Sequence, residues 1–167
     1  YGNVATSREP NGVNDATVSL LGQGGGMHLW AADVNIFDCN ILGNTAQYSG
    51  GGMYVGGEGT FWLDNCLLTN NTSRRDGGAI SNNIFGQLFV SNCTIADNRV
   101  TGSGEGVGFG GGISSFYNSY SNIIDSIIWG NKGIRGSQLS IGTNFFYDPA
   151  PSSVRITYSD ITPFPEP

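Results

Sequence analysis

Lysine is almost missing from these 167 residues: Lys132 is the only one, histidine occurs once as His28, and charged residues make up just 12% of the chain. Thirteen acidic side chains against seven basic ones leave a net charge of -6, which argues against a nucleic acid partner, since phosphate backbones are held by a surplus of Lys and Arg. No run approaches the roughly 18 apolar residues of a membrane-spanning helix, so direct membrane insertion is not expected. The chain opens at Tyr1 without the charged and then apolar stretch of a secretion signal. Helical periodicity is missing as well, and the 27 glycines disfavour helix. Three cysteines cannot all pair and no Cys-x-x-Cys occurs, so no redox motif is present.

What remains are short β-branched and aromatic runs bounded by Gly and Asn, at 34–39, 60–66, 87–93 and 121–126, which predict strands. They repeat. Cys39, Cys66 and Cys93 are spaced 27 residues apart, each followed five residues later by Asn44, Asn71 or Asn98 and two residues later by Ile41, Leu68 or Ile95. Ile36, Leu63 and Val90 precede the cysteines by three. A fourth copy carries Ser126 in the Cys position, with Ile123, Ile128 and Asn131 in register. Upstream of the copies stand Gly25-Gly26, Gly51-Gly52, Gly77-Gly78 and Gly111-Gly112. Each pair leads into a short alternating strand, begun by Met27, Met53, Ala79 and Ile113, with Leu29, Val55, Ser81 and Ser115 two residues on.

A 27-residue period made only of short strands buries its apolar side chains by winding into a coil and stacking on its neighbours. The expected fold is all-β, a right-handed parallel β-helix of about five coils with loop insertions at one corner. Equal positions in successive coils then lie about 4.8 Å apart. Cys39, Cys66, Cys93 and Ser126 form an inward ladder of small, unpaired side chains beside the aliphatic columns. Asn44, Asn71, Asn98 and Asn131 form a turn ladder whose amides bond from coil to coil, at a turn that includes one left-handed residue. Leu63-x-x-Cys66-x-Leu68-x-x-Asn71 also fits the strand half of a leucine-rich repeat, but charged residues, Gly-Gly and a second strand follow in place of a helix.

The Gly77-Gly78-Ala79-Ile80 unit, with Ile/Leu-x-x-Asn units ahead of the glycines, resembles the repeats of bacterial right-handed parallel β-helix surface proteins of the pectate-lyase-like superfold. It is also similar to the passenger repeats of chlamydial polymorphic outer membrane proteins, which pair GGA(I/L/V) with FxxN; here Ile41, Leu68, Ile95 and Ile128 replace the Phe. This resemblance implies an extracellular or cell-surface location. Its enzymatic members cut acidic or neutral polysaccharides, through carboxylate-bound calcium with an Arg or Lys base, or through paired acids.

Residues 1–161 are expected to form the solenoid, as part of a longer rod, with the Pro-rich stretch 162–167 as a tail or linker. Tyr1-Gly2-Asn3 aligns with Trp129-Gly130-Asn131, placing the start at the end of a coil, and open strand edges call for additional coils or subunits stacked on them. The Asn-to-Asn spacing is 27 twice, then 33 between Asn98 and Asn131, and 41 between Asn3 and Asn44. Both insertions, 4–24 and 99–110, leave from one corner, where Arg8, Glu9, Asp15, Arg74, Arg75, Asp76, Arg99 and Glu105 gather charge. Solvated turns alone would also be charged.

Catalytic signals are weak. The polar column Asp38, Asn65, Asn92, Asp125 separates its two acids by three coils, on the order of 14 Å, too far for one metal or one acid pair. His28 stands outward beside Tyr54 without a partner acid, and Phe61 occupies the position where a calcium nonapeptide starting at Gly56 needs Asp. No catalytic residue, metal or cofactor is assigned. Trp62 and Phe89 share an outward column between Asn35 and Asn122, where exposed rings suit a sugar or a partner surface. Asn70, Asn71 and Asn92 satisfy Asn-x-Ser/Thr, a chance match in so Asn- and Thr-rich a repeat. The expected role is a noncatalytic structural or adhesive segment of an extracellular or cell-surface bacterial protein, whose binding surface comprises Trp62, Phe89, Arg74, Arg75, Asp76, Arg99 and Glu105, with polysaccharide or another surface protein as partner. A polysaccharide lyase or glycoside hydrolase, and a self-assembling filament subunit, are the alternatives.

Overall fold

Strands of two to five residues are too short to stand alone, and here every one is hydrogen-bonded to strands one coil away and never to its chain neighbour. The computed structural model describes residues 4–5, 22–104, 106–142 and 151–161, which contain nineteen strands and no helix. All ladders are parallel. The first sheet stacks Met27–Trp30, Met53–Gly56, Ile80–Asn83, Ile113–Ser115 and Leu139–Ile141, and the second Val34–Phe37, Thr60–Asp64, Gln87–Ser91, Tyr120–Ile124 and Ser153–Thr157. A third holds Asn40–Leu42, Leu67–Thr69, Thr94–Ala96, Ile127–Trp129 and Asp160–Ile161; the fourth holds Val4–Ala5, Thr45–Ala46, Thr72–Ser73 and Arg99–Val100.

The interior is a stack of aliphatic columns. Phe61 and Leu88, Leu63, Val90 and Ile123, and Leu68, Ile95 and Ile128 are fully buried in register. Each such side chain contributes about 1.5 to 3 kcal/mol of apolar burial. On the first sheet the inward column is Met27, Met53, Ile80, Ile113, Leu139, so the third copy begins at Ile80 and not at Ala79. The second inward position is accordingly Asn82 and not Ser81. Asn82 donates to the Tyr120 carbonyl at 2.8 Å and to Ser121 Oγ at 3.0 Å, and Ser115 and Ser121 join at 2.7 Å, a polar knot within the otherwise apolar core.

Glycine sets this phase. Gly24, Gly50, Gly77, Gly110 and Gly136 all have φ between 60° and 72°, a left-handed corner that excludes most side chains. The following residue is glycine for a different reason in the four coils that carry another on top, since a Cβ on Gly78 would lie 2.1 Å from the Gly111 carbonyl oxygen, while the last coil has Ser137 there. The third position tolerates Ala79, which is why Gly77-Gly78 aligns with Gly50-Gly51 and not with Gly51-Gly52.

Two side-chain ladders run parallel to the axis. Asn44 Nδ2 donates to Asn71 Oδ1, Asn71 Nδ2 to Asn98 Oδ1, Asn98 Nδ2 to Asn131 Oδ1 and Asn131 Nδ2 to Gln138 Oε1, at 2.8–3.0 Å. The left-handed residue of that turn is the one before each Asn: Gly43, Asn70, Asp97, Gly130. The second ladder is built on Cys39, Cys66, Cys93, Ser126 and Ser159, each of which donates to the carbonyl two residues back. Cys93 Sγ and Ser126 Oγ also accept the N–H of Cys66 and Cys93 in the preceding coil. The column thus selects a small donor-acceptor. Cys93→Ser is expected to leave the melting temperature within a few degrees of wild type, whereas Cys93→Ala, which strands the Cys66 N–H, costs about 1 to 2 kcal/mol. Thermal denaturation of the two variants checks this.

Candidate functional site

The functional side chains fall on two separate parts of the coil. On the outer face of the second sheet Trp62 and Phe89 stack with centroids 5.8 Å apart and planes 15° from parallel, and Tyr120 meets Phe89 edge-on at 5.9 Å. Register places Asn35 above Trp62 and Asn122 below Phe89. Stacking occupies the Trp62 face turned to Phe89, and its other neighbour in the column is Asn35. Trp62 is 38% exposed.

The second place is the turn between the fourth and first sheets. Backbone bonds from Thr101 to Ser73, Gly102 to Arg74 and Gly108 to Arg75 lay the insertion at 99–110 along the Arg74–Arg75 edge, 2.8–2.9 Å each. The Arg75 guanidinium sits 4.9 Å over the Tyr48 ring, donates to the Tyr48 hydroxyl and to the Gly106 carbonyl, and pairs with Asp76 at 3.4 Å. Asp76 is buried and accepts from Ser49 Oγ at 3.3 Å, while its Oδ1 has no hydrogen-bond partner. Burial outweighs the guanidinium and pushes the Asp76 carboxyl up to about 6. Tyr54, fully buried beside this turn, stacks on Trp30 and meets the edge of His28. Desolvation pushes its hydroxyl up to about 12 and lowers the His28 imidazole below its ordinary value.

A family comparison matches a model described as right-handed beta helix region over residues 25–162. The chain belongs to the right-handed β-helix family. This β-helix has no match among curated proteins or solved structures in the other two comparisons.

Of the binding residues expected from sequence, Trp62 and Phe89 lie together, and Arg74, Arg75, Asp76 and Arg99 lie together, but the two groups occupy different faces of the β-helix. Glu105, like Arg8, Glu9 and Asp15, lies outside the described residues. Tyr48, Tyr120, Lys132 and Arg135 join these clusters unannounced by sequence reasoning. Tyr48 had a usable signal, standing one 27-residue period before Arg75. Asp38 and Asp125 occupy equivalent left-handed turn positions with Asn65 and Asn92 between them, φ 47° to 53°. Asp64, in the adjoining column, accepts from Ser91 and Asn92 at 2.7 and 2.8 Å, which lowers its carboxyl below the usual range. The thiols of the β-helix are unpaired, and burial pushes Cys93 up to about 12 and raises Cys66, so neither is a ready nucleophile.

Proposed function

We propose that this β-helix is a noncatalytic rod segment of an extracellular or cell-surface bacterial protein, which presents its outer second-sheet face to a glycan or a partner surface. The carrying observation is the stacked Trp62–Phe89 pair, exposed at Trp62 and bracketed by the amides of Asn35 and Asn122. An exposed indole beside the Asn35 amide suits the apolar face and hydroxyls of a pyranose ring. Phe37, Leu42, Leu67, Ile127 and Trp129 are also exposed on outward positions of the second and third sheets, which extends the surface. The single lysine and the net charge of -6 support the exterior location. Affinity electrophoresis against a panel of soluble wall polysaccharides tests the reading: wild type is retarded by at least one, and Trp62→Ala binds it roughly tenfold more weakly. Retardation unchanged in Trp62→Ala removes this face as the site.

A polysaccharide hydrolase or lyase is the second reading, favoured by Asp76, whose carboxyl titrates near 6 next to Arg75 and Tyr48. Release of reducing ends or unsaturated products from the same panel, lost in Asp76→Asn, would establish it.

A further inference from the structure

The basic residues are distributed across the coil with a polarity that the composition hides. Five of the seven basic residues, Arg74, Arg75, Arg99, Lys132 and Arg135, lie on the fourth sheet or on the turn that follows it. Thr72, Arg99 and Lys132 are in direct register, and Arg135 continues the column of Asp76 and Phe109. Arg74, Arg99, Lys132 and Arg135 are exposed, and Arg135 is held 5.2 Å over the Phe109 ring. Among the described residues the one acid on this turn, Asp76, is buried and engaged by Arg75.

The sheets follow one another round each coil, so the turn from second to third sheet lies across the section from the turn between fourth and first. Asp38 and Asp125 occupy that opposite turn, with the neutral Asn65 and Asn92 between these two exposed aspartates, and Asp64 ends the second-sheet strand that leads into it. The bases span the coils of Cys66, Cys93 and Ser126, and the acids span those of Cys39, Cys66 and Ser126. Both strips are therefore ruled by the same axial repeat of about 4.8 Å.

We infer that the basic strip docks on the acidic strip of a second copy of this chain, aligning rods side by side in a head-to-tail lateral array. A uniformly acidic chain would repel its own copies at low salt, whereas this one carries strips of opposite charge on opposite sides, ruled by one axial repeat. Such an interface is heterologous, so it leaves one strip open at each edge and grows beyond a pair. Individual exposed ion pairs are weak and screened over about 10 Å at 0.1 M salt, which makes the association concentration- and salt-dependent. The inference is independent of the glycan reading, since a chain that binds no glycan would still associate.

Sedimentation velocity on the 167-residue chain tests it. In about 20 mM salt the weight-average mass is expected to rise beyond that of a dimer between roughly 10 µM and 1 mM, and to return to the monomer value near 0.5 M. Arg99→Glu with Lys132→Glu abolishes the rise. So does Asp38→Asn with Asp125→Asn, a fold-neutral pair because Asn65 and Asn92 fill the same turn in neighbouring coils. Mixed in equal amounts, the two variants retain one good strip each and are expected to form dimers and nothing larger. A wild type that stays monomeric at low salt, including one whose basic strip instead retains a soluble polyanion such as heparin, overturns the inference. So does an association that survives either double substitution, or a mixture that stays monomeric.

Discussion

Asn98→Ala is expected to lower stability by about 4 kcal/mol and the melting temperature by roughly 8 to 16 °C, among the largest effects available to a single substitution here. Asn98 is completely buried. Its Oδ1 accepts both the backbone N–H and the side-chain amide of Asn71 at 3.0 Å, while its Nδ2 donates to the carbonyls of Leu68 and Ala96 and to Asn131 Oδ1 at 2.9–3.0 Å. Removing the amide takes the acceptor from the two Asn71 donors and the donor from the Leu68 and Ala96 carbonyls and Asn131 Oδ1, and each buried group left unpaired costs about 1 to 3 kcal/mol. Asn98→Asp separates hydrogen bonding from volume. It keeps the shape and an accepting oxygen, but turns a second oxygen and a buried negative charge toward three acceptors, so it should be the more damaging of the two at pH 7. Urea unfolding of both variants decides the matter: if Asp is tolerated better than Ala, volume and not the amide ladder holds this turn.

That ladder was legible in the sequence because a solenoid converts distance along the axis into a fixed sequence interval. Asn44, Asn71 and Asn98 are 27 residues apart, and so are Cys39, Cys66 and Cys93, which fixes architecture and stacking together. The limits are equally physical. Three of the glycine corners read Gly-Gly-Gly and one reads Gly77-Gly78-Ala79, so counting glycines misplaces that coil by one residue; the left-handed demand at Gly50 and Gly77 is what sets the phase. In a strand one residue is the difference between inside and outside, which is how Asn82 came to lie inside and Ser81 outside. Cysteine and serine share one column for their common hydrogen-bonding role, where packing size alone accounts for neither the Sγ contacts nor Ser159. The charged corner was located by its insertions, but insertions carry no period. Hence the approach of Arg135 to Phe109, and the burial of Asp76 beneath the inserted segment, have no signature in spacing.

Asp76 is expected to make this chain lose stability as pH rises through the weakly acidic range, the reverse of the usual carboxylate effect. An ordinary paired carboxylate has its pKa depressed on folding and contributes stability above its unfolded value. Asp76 goes the other way, from 3.8 unfolded to about 6 folded, because burial penalises the anion more than Arg75 at 3.4 Å and Ser49 at 3.3 Å favour it. Well below pH 3.8 the carboxyl is protonated in both states and costs nothing. Between about 4 and 6 the unfolded chain releases the proton while the folded one retains it, so unfolding is progressively favoured; above 6 both are ionised and the loss is constant. A shift of this size corresponds to about 3 kcal/mol at neutral pH. Asp76→Asn preserves an oxygen to accept from Ser49 and cannot titrate, so its stability relative to wild type should be near zero or negative at pH 4 and rise by that amount by pH 7. Comparing urea midpoints of the two proteins at several pH values isolates this carboxyl, since every other acid, including the Asp64 carboxyl held low by Ser91 and Asn92, is common to both. Parallel pH curves would mean that the Asp76 carboxyl is ionised throughout, and that the Arg75 pair, not burial, governs this corner.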